Sequence, residues 1–234
     1  MPKEKIKIKI EFIVTLLIVL PVTVFTFWSA WYGLYHSETG VQQLATNFEK
    51  IQPNDSSSDS SDIVFLGDSL TAREDWNVLF GVDDISNAGQ SGNTTDDVLA
   101  RLNSVLAEKP QKIFLMIGIN DFLRGKDVPY VLANYYKIIS QIESQSPGTQ
   151  IYIQSILPTN NSISQIGIVD SEKIITLNDK LSALADGRKI FFLSLYPNFC
   201  GPDDQMYVRY TNDGVHLNAV GYTVWKNSIV SYLK

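Results

Sequence analysis

The stretch IVFLGDSL, residues 63–70, joins a β-strand pattern directly to a turn of small and polar residues. Its first four residues are all apolar, which is typical of a parallel strand that is covered on both faces. In sheets of that kind, ligands bind just beyond the carboxyl ends of the strands. Gly67-Asp68-Ser69-Leu70 stands at that point. The stretch therefore predicts both an α/β fold and the place where its chemistry should lie.

Four further candidate strands follow, several of them nearly continuous apolar runs, and helical patterns separate them. The predicted strands cover residues 63–66, 84–87, 112–117, 150–156 and 189–193. Apolar stripes at helical spacing predict helices around residues 98–106, 132–142, 174–184 and 218–233. This alternation predicts a three-layer α/β/α sandwich with a five-stranded parallel sheet, in a domain that covers residues 63–234.

Four polar motifs lie at the ends of the predicted strands and before the last helix. They are Gly67-Asp68-Ser69-Leu70, Ser91-Gly92-Asn93-Thr94, Gly118-Ile119-Asn120-Asp121 and Asp213-Gly214-Val215-His216. Ser69 can expose its hydroxyl at a strand-to-helix turn, and the Gly92 amide, just before a helix capped by Asn93 or Thr94, can point toward an anion. Asn120 offers an amide donor, and one-turn spacing lets Asp213 orient the imidazole of His216. Each motif alone is weak, but the four in this order indicate one catalytic site.

The four motifs resemble the signature blocks of the SGNH hydrolases, also called the GDSL esterase/lipase family, over the whole predicted domain. The resemblance implies a flavodoxin-like sandwich without metal or cofactor. It implies that Ser69 is the nucleophile, that His216 is the general base and that Asp213 orients it. It also implies an oxyanion hole made by the Ser69 and Gly92 amides and the Asn120 side chain. The platelet-activating-factor-acetylhydrolase-like and lysophospholipase-L1-like branch is the most similar, but it does not define a substrate.

Residue counts narrow the chemistry further. The 234 residues include one cysteine, Cys200, which we expect to be a small buried filler, and two histidines, His36 and His216. These counts exclude a disulfide within the chain, a thiolate zinc cluster and a histidine-rich metal site. The formal net charge is −6, from 19 Lys and Arg against 25 Asp and Glu. This charge argues against a nucleic acid partner, because phosphate binding needs a basic surface.

An uncharged apolar segment, residues 12–35, precedes the predicted domain. As a helix it would span ~36 Å, more than the ~30 Å hydrocarbon core of a bilayer. Lysines within residues 1–11 precede it, which predicts a single transmembrane helix with a cytoplasmic N-terminus and a catalytic domain outside the plasma membrane. The alternative is a secreted protein released by signal cleavage, but such signals have a shorter apolar region and small residues at the cleavage site.

Residues 36–62 read as an amphipathic stalk followed by a Ser/Asp-rich linker, a tether that keeps the site near the membrane. Two longer loops, residues 157–169 and 196–212, are expected to rim the site, while Asp68 and Asp121 are expected to brace their turns. The sequence thus predicts a membrane-anchored esterase that removes small acyl groups from cell-envelope glycans. Three alternatives stay open: a lysophospholipase-type lipid esterase, an O-acyltransferase that uses the same triad with a partner protein, and a non-catalytic binding domain.

Overall fold

The computed structural model describes residues 62–234, and the predicted anchor and stalk lie outside these residues. The five strands of the described part are β1 (Ile63–Gly67), β2 (Ile85–Gly89), β3 (Lys112–Met116), β4 (Gln150–Gln154) and β5 (Ile190–Leu193). All pair in parallel, in the order β2-β1-β3-β4-β5. This is the strand order of flavodoxin-like sheets. The predicted five-stranded parallel sheet is therefore confirmed.

Helices cover both faces of this sheet. They are α1 (Ser69–Ala72), α2 (Trp76–Phe80), α3 (Thr95–Leu106), α4 (Ile119–Leu123), α5 (Val128–Gln145), α6 (Ser171–Ser182), α7 (Tyr196–Phe199) and α8 (Ala219–Ile229). Helix α5 packs against α3 and α6, whereas α8 packs against α2 and α7. Val64, Phe65 and Leu66 of β1 are all buried. Because successive side chains of a strand point to opposite faces, both faces of β1 must be covered.

A row of aromatic rings crosses one face of the sheet. Phe65, Phe114, Tyr152 and Phe191 occupy paired positions on β1, β3, β4 and β5. Neighbouring rings stack with centroids 4.9, 4.7 and 5.0 Å apart, and Trp76 of α2 stacks on Phe65 at 4.2 Å. Aromatic pairs contribute about 0.5–1.5 kcal/mol each beyond their buried area. The row of rings therefore favours one register across four strands, and the Trp76 contact packs α2 against the same face of the sheet.

The sequence predictions differ from the structure mainly at element ends and in short elements. Strand β2 continues through Gly89 because Gly89 still pairs with Gly67, although Ala-Gly reads as a loop. Apolar periodicity does not predict the four helices of four or five residues, since so few residues complete no periodic pattern, and only the strand-to-helix turn expected at Ser69 indicates one of them, α1. Cys200 is half-buried on a loop and not a buried filler. Between residues 62 and 234, no helix is long and apolar enough to cross a membrane.

Trp225 of α8 is fully buried, and its Nε1–H donates to Gln154 Oε1 at 2.6 Å. Trp225→Phe keeps an aromatic ring but deprives this buried oxygen of its donor. We expect the free energy of unfolding to fall by about 2–4 kcal/mol, from the lost hydrogen bond and lost packing. Urea denaturation of the full chain measures it. As a control, Trp225→Phe combined with Gln154→Met should cost less than the sum of the two single changes; strict additivity would contradict this interpretation.

Candidate active site

Ser69, His216 and Asp213 form a chain of two hydrogen bonds. The Ser69 hydroxyl donates to His216 Nε2 at 2.9 Å, and His216 Nδ1–H donates to Asp213 Oδ2 at 2.7 Å. The proton is placed on Nδ1 because an ionised carboxylate can only accept. Ser69 and His216 are 147 residues apart in the chain. The fold thus brings these three predicted residues into the relation that nucleophilic attack by a serine needs.

The Asp213 carboxylate is held by its own loop. Its Oδ1 accepts from the Val215 amide at 3.0 Å and from the His216 amide at 2.7 Å. Burial acts to raise the pKa of Asp213, but the bonds from the His216 ring and from both amides outweigh it and lower the pKa below its usual value. Asp213 therefore stays ionised at neutral pH. Its side chain is 33% exposed and that of His216 is 13% exposed, so the imidazole is reachable from the surface but largely shielded.

Gly214 connects this segment to the loop after β4. Its φ is +83°, and a Cβ at this position would lie 2.5 Å from the Asn160 carbonyl oxygen and 2.8 Å from Ser164 Cα. The backbone N–H of Asn160 also donates to the Gly214 carbonyl oxygen at 2.7 Å. Only glycine fits this contact. The loop at residues 157–169 therefore packs directly against the segment that carries Asp213 and His216.

Ser69 is the first residue of α1, a helix of only four residues. Asp68 caps this helix, since its Oδ1 accepts from the Leu70 amide at 2.9 Å, and burial raises the pKa of Asp68 to about 7. From α8, the Tyr222 hydroxyl donates to the Leu70 carbonyl oxygen at 2.7 Å. A Cβ at Gly89 would lie 2.3 Å from a backbone nitrogen of α1. The turn that carries Ser69 is therefore held by its cap, by α8 and by the close approach of β2.

The three predicted oxyanion donors follow three neighbouring strands. Within residues 62–234, the amide N–H groups of Ser69 and Gly92 donate to no protein acceptor. Asn120, in the first turn of α4, donates one Nδ2 hydrogen to the Asn93 carbonyl oxygen at 2.9 Å and has a second hydrogen to offer. Because Asn93 directly follows Gly92, this bond ties two of the predicted donors to each other.

Asp121 braces the helices behind these donors. Its carboxylate oxygens accept from the Thr95 amide at 2.9 Å and from the Thr95 hydroxyl at 2.6 Å. Burial raises the pKa of Asp121, and the bonds from Thr95 act in the opposite direction. Thr95 is the first residue of α3, so the contact links α3 to α4. The predicted bracing role of Asp121 is thus seen between two helices, beyond its own turn.

Two arginines that sequence analysis missed hold the loop at residues 90–94. Arg101 Nε donates to Asn93 Oδ1 at 2.8 Å, and Arg124 Nη2 donates to the Gly92 carbonyl oxygen at 2.8 Å. A backbone acceptor leaves no sequence signal, which explains why Arg124 was missed. Arg101 stands about two helical turns after Thr94 and so faces the same way as the start of the helix. That spacing is the only sequence signal that points to it.

This arrangement suits acyl transfer. As Ser69 attacks a carbonyl carbon, it can pass its proton to His216, while neighbouring N–H groups stabilise the negative oxygen that forms. In the part of the chain that the structure describes, no group of three or more His, Cys, Asp and Glu side chains is placed to hold a metal ion.

Comparison with known proteins finds one matching family and partial relatives. The GDSL-like lipase/acylhydrolase family model matches residues 65–224. An N-acylneuraminate cytidylyltransferase of Escherichia coli is 26% identical over 180 residues, 74% of this chain and 41% of that enzyme. An acetylxylan esterase of Geobacillus stearothermophilus is 46% identical over 48 residues, 20% of this chain and 22% of the esterase. The chain thus matches about two fifths of the length of the first relative and about a fifth of the second.

A solved structure extends the likeness to nearly the whole chain. It is that of a Streptococcus pneumonia protein provisionally described as a platelet activating factor, with a TM-score of 0.70 and 28% identity over 92% of this chain and 99% of that chain. The family match covers more than half of this sequence and includes Ser69, Asn120 and His216. The chain therefore belongs to the GDSL-like lipase/acylhydrolase family.

Proposed function

We propose that Ser69 is the nucleophile, His216 the general base and Asp213 the carboxylate that orients His216. The observation that carries this assignment is the hydrogen-bond chain of 2.9 and 2.7 Å from the hydroxyl through the imidazole to the carboxylate. Ser69 Oγ attacks the ester carbonyl while its proton passes to His216 Nε2. His216 returns the proton to the leaving alcohol, which leaves an acyl-enzyme. Water, activated by His216, then releases the acid and restores Ser69.

The negative oxygen of each tetrahedral intermediate would be held by the amides of Ser69 and Gly92 and by the second Nδ2 hydrogen of Asn120. One such donor is commonly worth about 10²–10³ in rate. The lack of any protein acceptor for the two amides in the described residues supports this role, since a donor that is already engaged could not receive the oxyanion. Every step uses only these groups and water.

Replacement of Ser69 tests the nucleophile. Ser69→Ala should remove essentially all hydrolysis of an aryl acetate, because Ser69 is the one hydroxyl within residues 62–234 that is hydrogen-bonded to His216. The free energy of unfolding should change by only about 1 kcal/mol, since a single hydrogen bond, that of Ser69 with His216, is lost. Mass spectrometry after treatment with a serine-directed phosphonate should find the label on Ser69 alone. Activity that survives in Ser69→Ala, or a label on another residue, would refute the assignment.

For the substrate, we propose small acyl groups, acetyl above all, on cell-envelope glycans. The match to an acetylxylan esterase supports this choice. A cavity of about 480 Å³ supports it as well; its lining includes Asn160, Gln205 and Tyr207. Asn160 is also the residue whose amide binds the Gly214 carbonyl oxygen. The cavity therefore adjoins the segment that carries Asp213 and His216.

The chemistry of this cavity suits a sugar ring. The Arg209 guanidinium lies 4.2 Å from the centroid of the Tyr207 ring, and the Tyr210 ring meets it edge-on at 5.8 Å, so the Tyr207 ring is held in place. Gln205 Oε1 accepts from the backbone N–H of Asn161 at 2.7 Å, and this bond orients the side-chain carboxamide of Gln205. A sugar has an apolar ring face and polar edges, and a fixed aromatic ring beside an amide complements both.

One observation favours a second candidate, a lysophospholipase-type lipid esterase. The loop at residues 157–169 exposes Ile166 and Ile168, which are 47% and 78% exposed. Between them, Gly167 packs so closely on Leu123 that a Cβ would lie 2.7 Å from its Cδ2. This loop therefore reaches from Gly214 to the helix that carries Asn120, and its two isoleucines offer apolar contact to a substrate with an acyl or alkyl chain.

Replacement of Tyr207 tests the binding of the glycan independently of the hydrolysis of the ester bond. Tyr207→Ala should lower kcat/KM for an acetylated oligosaccharide about tenfold, because one aromatic contact is worth about 0.5–1.5 kcal/mol. The same variant should hydrolyse an aryl acetate at close to the wild-type rate. Tyr136→Ala, at an exposed tyrosine of α5, is the matched control and should alter neither reaction. Equal losses on both substrates would contradict a glycan subsite.

Chain length decides between the two candidates. In a series of aryl esters, kcat/KM should peak at about two to four acyl carbons and fall beyond about eight, since a pocket discriminates chain length by about 1–3 kcal/mol per methylene. A maximum at about ten carbons or more, together with a loss of that preference in Ile168→Ser, would overturn the glycan proposal in favour of the lipid esterase.

We also propose that residues 12–35 anchor the enzyme in the plasma membrane with the catalytic domain outside. The support is the uncharged length of the segment and the lysines that precede it. The full chain should stay with membranes after an alkaline carbonate wash, and an externally added protease should digest its catalytic domain in intact cells. Deletion of residues 1–35 should abolish membrane retention. A soluble mature form that begins near residue 31 would show instead that the segment is a cleaved signal.

A further inference from the structure

Arg101 of α3 contacts three separate segments at the carboxyl edge of the sheet. Its Nε donates to Asn93 Oδ1 at 2.8 Å, and its Nη2 donates to the carbonyl oxygens of Gly67 at 3.0 Å and Ala88 at 2.7 Å. Gly67 ends β1, Ala88 lies at the end of β2, and Asn93 belongs to the loop that follows β2. One half-buried guanidinium thus joins two strand ends to a loop.

Two of these three contacts lie within two residues of a proposed oxyanion donor. Gly67 stands two residues before Ser69, and Asn93 directly follows Gly92. The Asn93 carbonyl oxygen in turn accepts from Asn120 Nδ2 at 2.9 Å. A displacement of Asn93 would therefore move the Gly92 amide and the Asn120 side chain together, relative to the strand that leads to Ser69.

An arginine is suited to this task in a way that a lysine is not. The guanidinium is planar and holds its donors in a fixed arrangement, so that Nε and Nη2 can bind different segments at a set spacing. Arg124 also reaches this loop, through the Gly92 carbonyl oxygen, but its side chain is exposed and pairs with Asp97 at 3.7 Å. Exposed ion pairs contribute little. The half-buried Arg101 is thus the stronger brace of the loop.

We infer that Arg101 is a positioning residue that sets the spacing of the oxyanion donors relative to Ser69. The inference rests on the proposed esterase function. Among the described residues, Arg101 makes its hydrogen bonds to Asn93, Gly67 and Ala88 and none to Ser69 or His216, so it acts through Asn93 and the ends of β1 and β2. Because the donors bind a negative charge that exists only in the transition state, loss of their alignment lowers kcat and leaves KM nearly unchanged.

A double-mutant cycle tests this coupling in the full chain, solubilised in detergent, with an aryl acetate as substrate. Asn120→Ala alone should lower kcat by about 10². Arg101→Ala alone should lower kcat by about 10- to 100-fold, with KM within about twofold of wild type. In the Asn120→Ala background, Arg101→Ala should lower kcat by only about threefold, because part of the alignment that it supports is already lost.

Three variants complete the test. Arg101→Lys keeps the positive charge but loses the fixed arrangement of the guanidinium donors, and its kcat should stay below about a tenth of the wild-type value. Asn93→Ala removes one acceptor of Arg101, and should lower kcat at constant KM even if the Arg101 variants fold poorly. Asn103→Ala is the matched control: it lies on the same helix and loses only the bonds from Gln141 and Gln145, so wild-type kcat is expected.

The possible failures are distinguishable. Equal effects of Arg101→Ala in both backgrounds, an effect on KM alone, or full activity in Arg101→Lys would overturn the positioning role. A fall in kcat in Asn103→Ala as large as that in Arg101→Ala would also overturn it, since a general destabilisation of α3 would then explain both effects. A wild-type chain without esterase activity, or a fully active Ser69→Ala, would refute the proposed function instead.

Discussion

The parallel register of β1 with its two neighbours is the constraint on which the site depends. Gly67 pairs with Gly89 on one side and with Met116 on the other, so three chain segments leave the sheet at the same level. Those segments lead to Ser69, Gly92 and Asn120, the three proposed oxyanion donors. A slip of one residue in β1 would turn every side chain of the strand to the opposite face and remove Phe65 from the aromatic row. The packing that stabilises the core therefore also aligns the chemistry.

The proposed base His216 and its carboxylate Asp213 come from a different part of the chain, and the last helix joins the two parts. Tyr222 of α8 binds the Leu70 carbonyl oxygen in the serine's own helix, while Trp225 one turn later binds Gln154 at the end of β4. The loop that carries His216 lies immediately before this helix. The position of this loop relative to Ser69 is therefore set by side chains in the core. These core contacts hold His216 within hydrogen-bond distance of Ser69, at 2.9 Å.

Much of this could be predicted from sequence because the relevant signals are local. Continuous apolar runs indicate buried strands, the Asp213-to-His216 pair lies within one turn, and the helix cap expected at Asn93 or Thr94 is Thr94, in a capping box with Asp97. The contacts that complete the site are not local. Two of the three acceptors of Arg101 are backbone carbonyls, which any residue could supply, so no pattern of residue types reveals them.

The contact between Gly214 and the loop after β4 has a consequence for how the proposed substrate range could change. A change in that loop that shifts the backbone of Asn160 or Ser164 would press on Gly214, and through it on Asp213, the carboxylate proposed to orient the base. Selectivity and turnover are therefore mechanically linked at this position. Substitutions in this loop should therefore occur in pairs, in which the second change restores the fit against Gly214. A single substitution would displace Asp213 and slow the reaction.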